Sequence, residues 1–84
     1  MRVSDVLIAS LAAYGPSTLA QLAARLRARE GRLRRQLVAA WEAGLVDVVD
    51  TPRGSTYRLG AIGRLRAREL RLDERRFEGL IRTR

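Results

Sequence analysis

Apolar side chains recur at helical spacing along most of this 84-residue chain. Between positions 3 and 14 they return every three or four residues, which predicts a first amphipathic helix. Gly15 and Pro16 should end this helix, because proline cannot continue the helical hydrogen-bond ladder. The side that we expect to be buried carries Val3, Val6, Leu7, Leu11 and Tyr14, with Ser10 as a polar interruption.

A second helix is predicted to begin near Thr18. The Thr18 hydroxyl can accept a hydrogen bond from an unpaired backbone amide, and Gln21 stands where a capping box requires it. Arg25 and Arg29 are expected to point toward solvent or phosphate, and the chain should turn between residues 28 and 30. Two short amphipathic helices with a tight connection have the outline of a helix-turn-helix. The inner side of this second helix carries Leu19, Leu22, Ala23 and Leu26.

The stretch from Glu30 to Val46 predicts a third helix and reads EGRLRRQLVAAWEAGLV. Gly44 should end this helix, because glycine enters the left-handed conformation of a helix C-terminus at little steric cost. One side is apolar and is expected to be buried. It carries Leu33, Leu37, Ala40 and Trp41. The opposite side is basic and carries Arg32, Arg35, Gln36 and Ala39, with Arg34 at its edge.

Beyond the third helix, the valine-rich segment 46–50 and the segment 57–59 alternate as strands do. Residues 51–55 between them contain proline, glycine and serine, which predicts a hairpin turn. From residue 61 to 84 the composition is helical again, but its apolar residues do not form one continuous stripe. We expect Ile62, Leu65 and Leu72 to pack toward the domain, and Leu70, Phe77, Leu80 and Ile81 to form a second apolar set.

This order of elements resembles the winged helix-turn-helix transcription regulators of the MarR and PadR kind. The resemblance covers roughly residues 3 to 66, with Arg27 standing where a glycine often opens the turn. It implies an α+β, mostly helical fold with a three-helix core, a two-stranded wing hairpin and a C-terminal helix. Residues 1–60 would be the DNA-binding domain. Residues 61–84 would form a helical segment that pairs subunits, through Leu70, Phe77, Leu80 and Ile81. The alternative is that residues 77–81 fold back on the first helix of the same chain.

The net charge of the chain indicates what kind of partner it binds. Seventeen basic residues against nine acidic ones give a net charge of +8, which is typical of proteins that bind polyphosphates. The chain has no cysteine and no histidine, which excludes disulfides, thiolate zinc sites and imidazole catalysis. The densest carboxylates have no nucleophile or phosphate-cradling loop nearby, so we expect neither an enzyme nor a metal, cofactor or small-molecule site. They are Asp47, Asp50, Asp73 and Glu74.

Location follows from the same patterns. No stretch approaches the roughly 18–20 apolar residues that a membrane span requires. The first 14 residues superficially resemble a secretory signal, but Asp5 and the helical period argue against that interpretation. We therefore expect a cytoplasmic, nucleoid-associated protein with no membrane partner.

The leading hypothesis is sequence-specific binding of double-stranded DNA by a homodimeric transcription regulator. Helix 30–43 would enter the major groove, and wing 51–56 would touch the backbone or the minor groove through Arg53. Two alternatives stay open: a sequence-tolerant, chromatin-like binder of nucleic acid, and a winged-helix module that binds proteins. In the leading hypothesis Arg32, Arg35 and Gln36 read bases, while Arg25 and Arg34 hold phosphates.

Overall fold

The computed structural model describes residues 3–70, and their side chains from residue 5 onward. This part of the chain is a small, mostly helical α+β fold with four helices and a three-stranded antiparallel sheet. The elements are α1 (Val3–Tyr14), β1 (Ser17–Thr18), α2 (Leu19–Leu26), α3 (Glu30–Glu42), β2 (Val46–Thr51), β3 (Gly54–Leu59) and α4 (Ala61–Glu69). The side chain of Val3 lies outside what is described, and so do the C-terminal apolar residues and carboxylates for which predictions were made beyond residue 70. They are Leu72, Phe77, Leu80, Ile81, Asp73 and Glu74.

The caps of α2 follow from local chemistry. The Thr18 backbone amide donates to Gln21 Oε1 at 2.9 Å, and the Gln21 amide donates to Thr18 Oγ1 at 3.2 Å, which confirms the capping box. At the other end, Arg27 has a left-handed backbone with φ of 52°, at the position where a glycine often opens the turn. A side chain is tolerated there at a modest steric cost. Gly44 closes α3 with φ of +76°, as predicted.

The sheet has the strand order β1-β3-β2. The predicted hairpin is confirmed. Its strands extend further than expected: β2 ends at Thr51, β3 begins at Gly54, and only Pro52 and Arg53 lie between them. Strand β1 was not predicted. It pairs with β3 through Ser17 and Tyr57 and through Thr18 and Thr56. A strand of two residues is too short to show a periodic pattern. Because Ser17 and Thr18 immediately precede α2, the sequence indicated only the helix cap.

Helix α1 lies at the centre of the core. Ile8 and Ala9 are as deeply buried as Leu7 and Leu11, so the prediction of one buried side was incomplete. The reason is that α1 contacts α2, β3 and α4 and is covered from several directions. Tyr14, by contrast, is 41% exposed at the end of α1, contrary to its predicted burial. The buried apolar cluster consists of Val6, Leu7, Ile8, Ala9, Leu11, Leu22, Ala23, Leu26, Leu33, Leu37, Ala40, Val46 and Ala67.

Helix α4 turns a different side inward from the one predicted. Ile62 and Leu65 are 53% and 57% exposed, whereas Gly63 and Ala67 are buried. A Cβ atom built on Gly63 would collide with the carbonyl oxygen of Leu45. Glycine therefore allows this side of α4 to approach Leu45 closely. Hydrophobic spacing therefore indicated the wrong side, because the contact requires small residues rather than large apolar ones.

The C-terminal end of α4 is joined to the rest of the domain by an ion pair and an apolar contact. Arg66 Nε lies 3.5 Å from Oδ1 of Asp5, a buried carboxylate in the first turn of α1. Leu70, which the sequence pattern assigned to a partner surface, is partly buried and packs against the core of its own chain. Among residues 3–70, no helix is long and apolar enough to cross a membrane.

Candidate nucleic-acid interface

The exposed side of α3 carries the arginines predicted to meet DNA. Arg32, Arg34 and Arg35 are exposed, and Gln36 is half-buried at the margin of this side. The opposite side carries Leu33 and Leu37, which are almost completely buried, together with Ala40. Packing of the leucines on the core therefore fixes the rotation of the helix about its axis and directs the three arginines outward. The structure thus brings these predicted residues together on one surface.

Trp41 does not belong to the buried side. It is 56% exposed, so its predicted burial was wrong. Trp41 follows Leu37 by four residues, close to one helical turn, but it is adjacent in sequence to Ala40 and therefore points in a different direction from it. Its side chain lies at the edge of the apolar stripe. Val38 is also exposed, at 52%, and the sequence reasoning assigned it no role. Its spacing of three residues from Arg35 was the available signal, because residues at that spacing share one side of a helix.

Arg25 is engaged inside the domain. Its Nη1 donates a hydrogen bond to Ser17 Oγ at 2.7 Å and a longer one to Ser10 Oγ at 3.5 Å. Its guanidinium carbon also lies 4.5 Å from the centroid of the Tyr14 ring, the geometry of a cation–π contact. The sequence pattern predicted that Arg25 points toward solvent or phosphate, and the structure shows it half-buried and bonded to side chains of its own domain. Both serines are buried, and the Ser17 hydroxyl accepts from Arg25 while it donates to the carbonyl oxygen of Gly15 at 2.9 Å.

Arg53 lies at the tip of the β2–β3 hairpin. Its side chain is exposed, and its backbone amide donates to Thr51 Oγ1 at 3.2 Å. The Thr51 hydroxyl in turn donates to the carbonyl oxygen of Gly54 at 2.6 Å. These two bonds close the loop on itself and hold the backbone that carries Arg53. The hairpin contacts α3 through β2, and Arg53 lies at the end of β2 remote from that junction in the chain.

In the part of the chain that the structure describes, no carboxylate forms an ion pair with the arginines of this surface. Within residues 3–70, the ion pairs are those of Arg66 with Asp5 at 3.5 Å and with Glu69 at 3.8 Å. The arginines of α3 and of the hairpin tip therefore keep their positive charge available for an external anion. The described residues also contain no group of three or more His, Cys, Asp or Glu side chains that could hold a metal ion.

Comparisons of the chain with protein-family models, with curated proteins and with solved structures found no match. The geometry and charge of the α3 surface are therefore the basis for a functional proposal.

Proposed function

We propose that this chain is a winged helix-turn-helix protein that binds double-stranded DNA sequence-specifically and regulates transcription. The order of elements from α1 to β3 supports this proposal, with α2 and α3 as the helix-turn-helix and the β2–β3 hairpin as the wing. Helix α3 would occupy the major groove, which is about 12 Å wide and admits one α-helix. The wing would lie along the neighbouring backbone or minor groove.

The observation that carries the proposal is the group of exposed arginines on α3, which form no ion pair within the described part of the chain. Arg32 and Arg35 can each donate two hydrogen bonds to the O6 and N7 atoms of guanine, with the half-buried Gln36 beside them. Arg34 and Arg53 would bind phosphates, which position the protein but carry no sequence information. Arg25 contributes indirectly, because its bond to Ser17 joins α2 to β1.

A dimer is part of the proposal. Ile62 and Leu65 leave an apolar strip exposed on α4, and the apolar residues beyond position 70 lie in the same terminal segment. Exposed apolar clusters often mark interfaces between proteins. A two-fold dimer would present two α3 helices to half-sites about 34–36 Å apart. Sedimentation at tens of micromolar tests this part separately, and a monomer would contradict it.

A second candidate is sequence-tolerant binding of nucleic acid. Exposed arginines also occur far from α3 in the chain, at Arg58 on β3 and at Arg64 and Arg68 on α4. A charge spread over several elements suffices for non-specific attraction to phosphates, which needs no aligned reading helix. The two candidates therefore differ in the ratio of specific to non-specific affinity.

The deciding experiment selects preferred duplexes from a random DNA library and measures competition by unrelated duplex at physiological salt. Specific binding should exceed non-specific binding by about 10³ or more. Arg35→Ala is compared with Arg68→Ala, because each variant removes one exposed arginine and the same charge. Both should weaken non-specific binding equally, and only Arg35→Ala should lower the ratio. A ratio near one for the unmodified protein, with both variants weakening all binding alike, would favour the sequence-tolerant candidate, and no DNA binding at low salt would favour a protein-binding module.

A further inference from the structure

An apolar side chain lies at the C-terminal edge of the basic surface of α3. Val38 is 52% exposed, and it follows Arg34 and Arg35 by four and three residues, so it lies one turn further along the same side. Gly31, Arg35, Val38 and Glu42 succeed one another at intervals of four, three and four residues. At 100° per residue they form the line that is directed furthest from the buried leucines. Valine is the apolar side chain of that line.

Helix stability does not account for the choice of valine at this position. Half of its surface is open to solvent, and valine is a poorer helix former than alanine because its branched Cβ restricts the side chain. A single exposed apolar residue is common on protein surfaces. Here, however, it follows the exposed Arg34 and Arg35, which have no carboxylate partner among residues 3–70 and attract a polyanion to this side of α3, while Glu42 lies one turn further on. A ligand that would suit both the exposed valine and the exposed arginines carries phosphates around an apolar group.

Duplex DNA offers such a group in the major groove. Each base pair displays hydrogen-bond donors and acceptors there, and thymine adds the C5 methyl group. We infer that Val38 contacts a thymine methyl group, next to the base that Arg35 contacts. This inference rests on the proposed function and names part of the sequence that α3 would read. Three residues along a helix span about 4.5 Å, compared with about 3.4 Å between base pairs, so the thymine should lie one or two base pairs from that guanine.

The test replaces thymine by deoxyuridine, which lacks the methyl group, at single positions of the duplex selected by the unmodified protein. At one position in each half-site, affinity should fall about fourfold, the equivalent of losing one buried methyl-sized group. That position should lie within two base pairs of the guanine whose contribution disappears in Arg35→Ala. In Val38→Ala the thymine and uracil duplexes should bind equally well.

Two controls accompany the measurement. Val48→Ala makes the same substitution at a valine that is 39% exposed on β2, outside the wing segment 51–56, and its ratio of thymine to uracil affinity should equal that of the unmodified protein. The melting temperature of Val38→Ala should be unchanged or slightly higher, since alanine is the better helix former.

The outcomes separate the inference from the function on which it rests. A selected sequence that depends on Arg35 but not on any thymine methyl group overturns the contact of Val38 and leaves the DNA-reading function intact. If Val38→Ala changes the sedimentation of the DNA-free protein and leaves the uracil effect unchanged, the proposed thymine contact is also overturned. Val38 then belongs to a protein contact. Failure to select any preferred duplex overturns the sequence-specific function itself.

Discussion

Adding one methyl group at Gly63 should destabilise the whole domain. A Cβ atom at this position would collide with the carbonyl oxygen of Leu45 and would lie 3.0 Å from its carbonyl carbon. Backbone cannot rotate out of the way as a flexible side chain can, so α4 must move away from the start of β2. Overpacking of this kind typically costs about 1–3 kcal/mol. Replacing glycine by alanine inside an unhindered helix gives the opposite sign, a gain of up to about 1 kcal/mol.

Gly31→Ala is the matched control, because Gly31 also lies in a helix but a Cβ atom there would meet nothing within 4 Å. Thermal and urea unfolding of both variants would be followed by circular dichroism. For a domain of this size each kcal/mol corresponds to about 4–8 °C in melting temperature. Gly63→Ala should melt lower than the unmodified protein, and Gly31→Ala should melt at the same temperature or slightly higher. A Gly63→Ala variant as stable as Gly31→Ala would refute the close approach of α4 to Leu45.

Three further predictions concern the arginines. Arg25→Ala should lower the free energy of unfolding by about 1–2 kcal/mol, since it removes a charged donor to the buried Ser17 hydroxyl and the contact with the Tyr14 ring, whereas Arg35→Ala should leave the melting temperature unchanged. Arg66→Ala should destabilise by about 1–3 kcal/mol because it removes the arginine that pairs with the buried Asp5 carboxylate, and Arg68→Ala, which removes an exposed arginine of the same helix, should not. Equal melting of these two variants would contradict the role of the ion pair. The logarithm of DNA affinity should fall with the logarithm of salt concentration by about 0.9 per phosphate contact, and Arg53→Ala should reduce that slope by about one contact; a slope near zero would contradict phosphate binding.

Much of the fold followed from periodicity and local capping. The spacing of apolar residues located α1, α2 and α3, and the prediction that α2 starts near Thr18 is confirmed by its hydrogen bonds with Gln21. The orientation of α4 could not be predicted in this way. Its inner side is chosen by the close approach of Gly63 to Leu45, and a pattern search that looks for large apolar residues passes over a glycine.

The surface of α3 was predictable to the extent that the leucine stripe fixes the direction of the arginines. Leu33 and Leu37 are buried and Arg32 and Arg35 are exposed, as their spacing indicated. The internal role of Arg25 was not predictable, because Ser10, Ser17 and Tyr14 approach it only after α1, β1 and α2 have folded together. A sequence pattern indicates which side of a helix is apolar. It does not indicate which neighbouring element a long side chain will contact.

The pairing of β1 with β3 has a consequence for how the domain assembles. Ser17 and Thr18 stand at the start of α2, yet their strand partners, Tyr57 and Thr56, arrive only after α3 and the whole of β2. Contacts between distant parts of a chain form more slowly than local ones, because a long loop must close first. A fragment that ends at Asp50 would contain the complete sequences of α2 and α3 but would lack the strand that joins the beginning of α2 to β2. Helix α3 contacts α2 and β2, and β3 joins these two neighbours through the sheet, so a shortened peptide would keep most of the direct contacts of α3 but not the strand that holds α2 and β2 together.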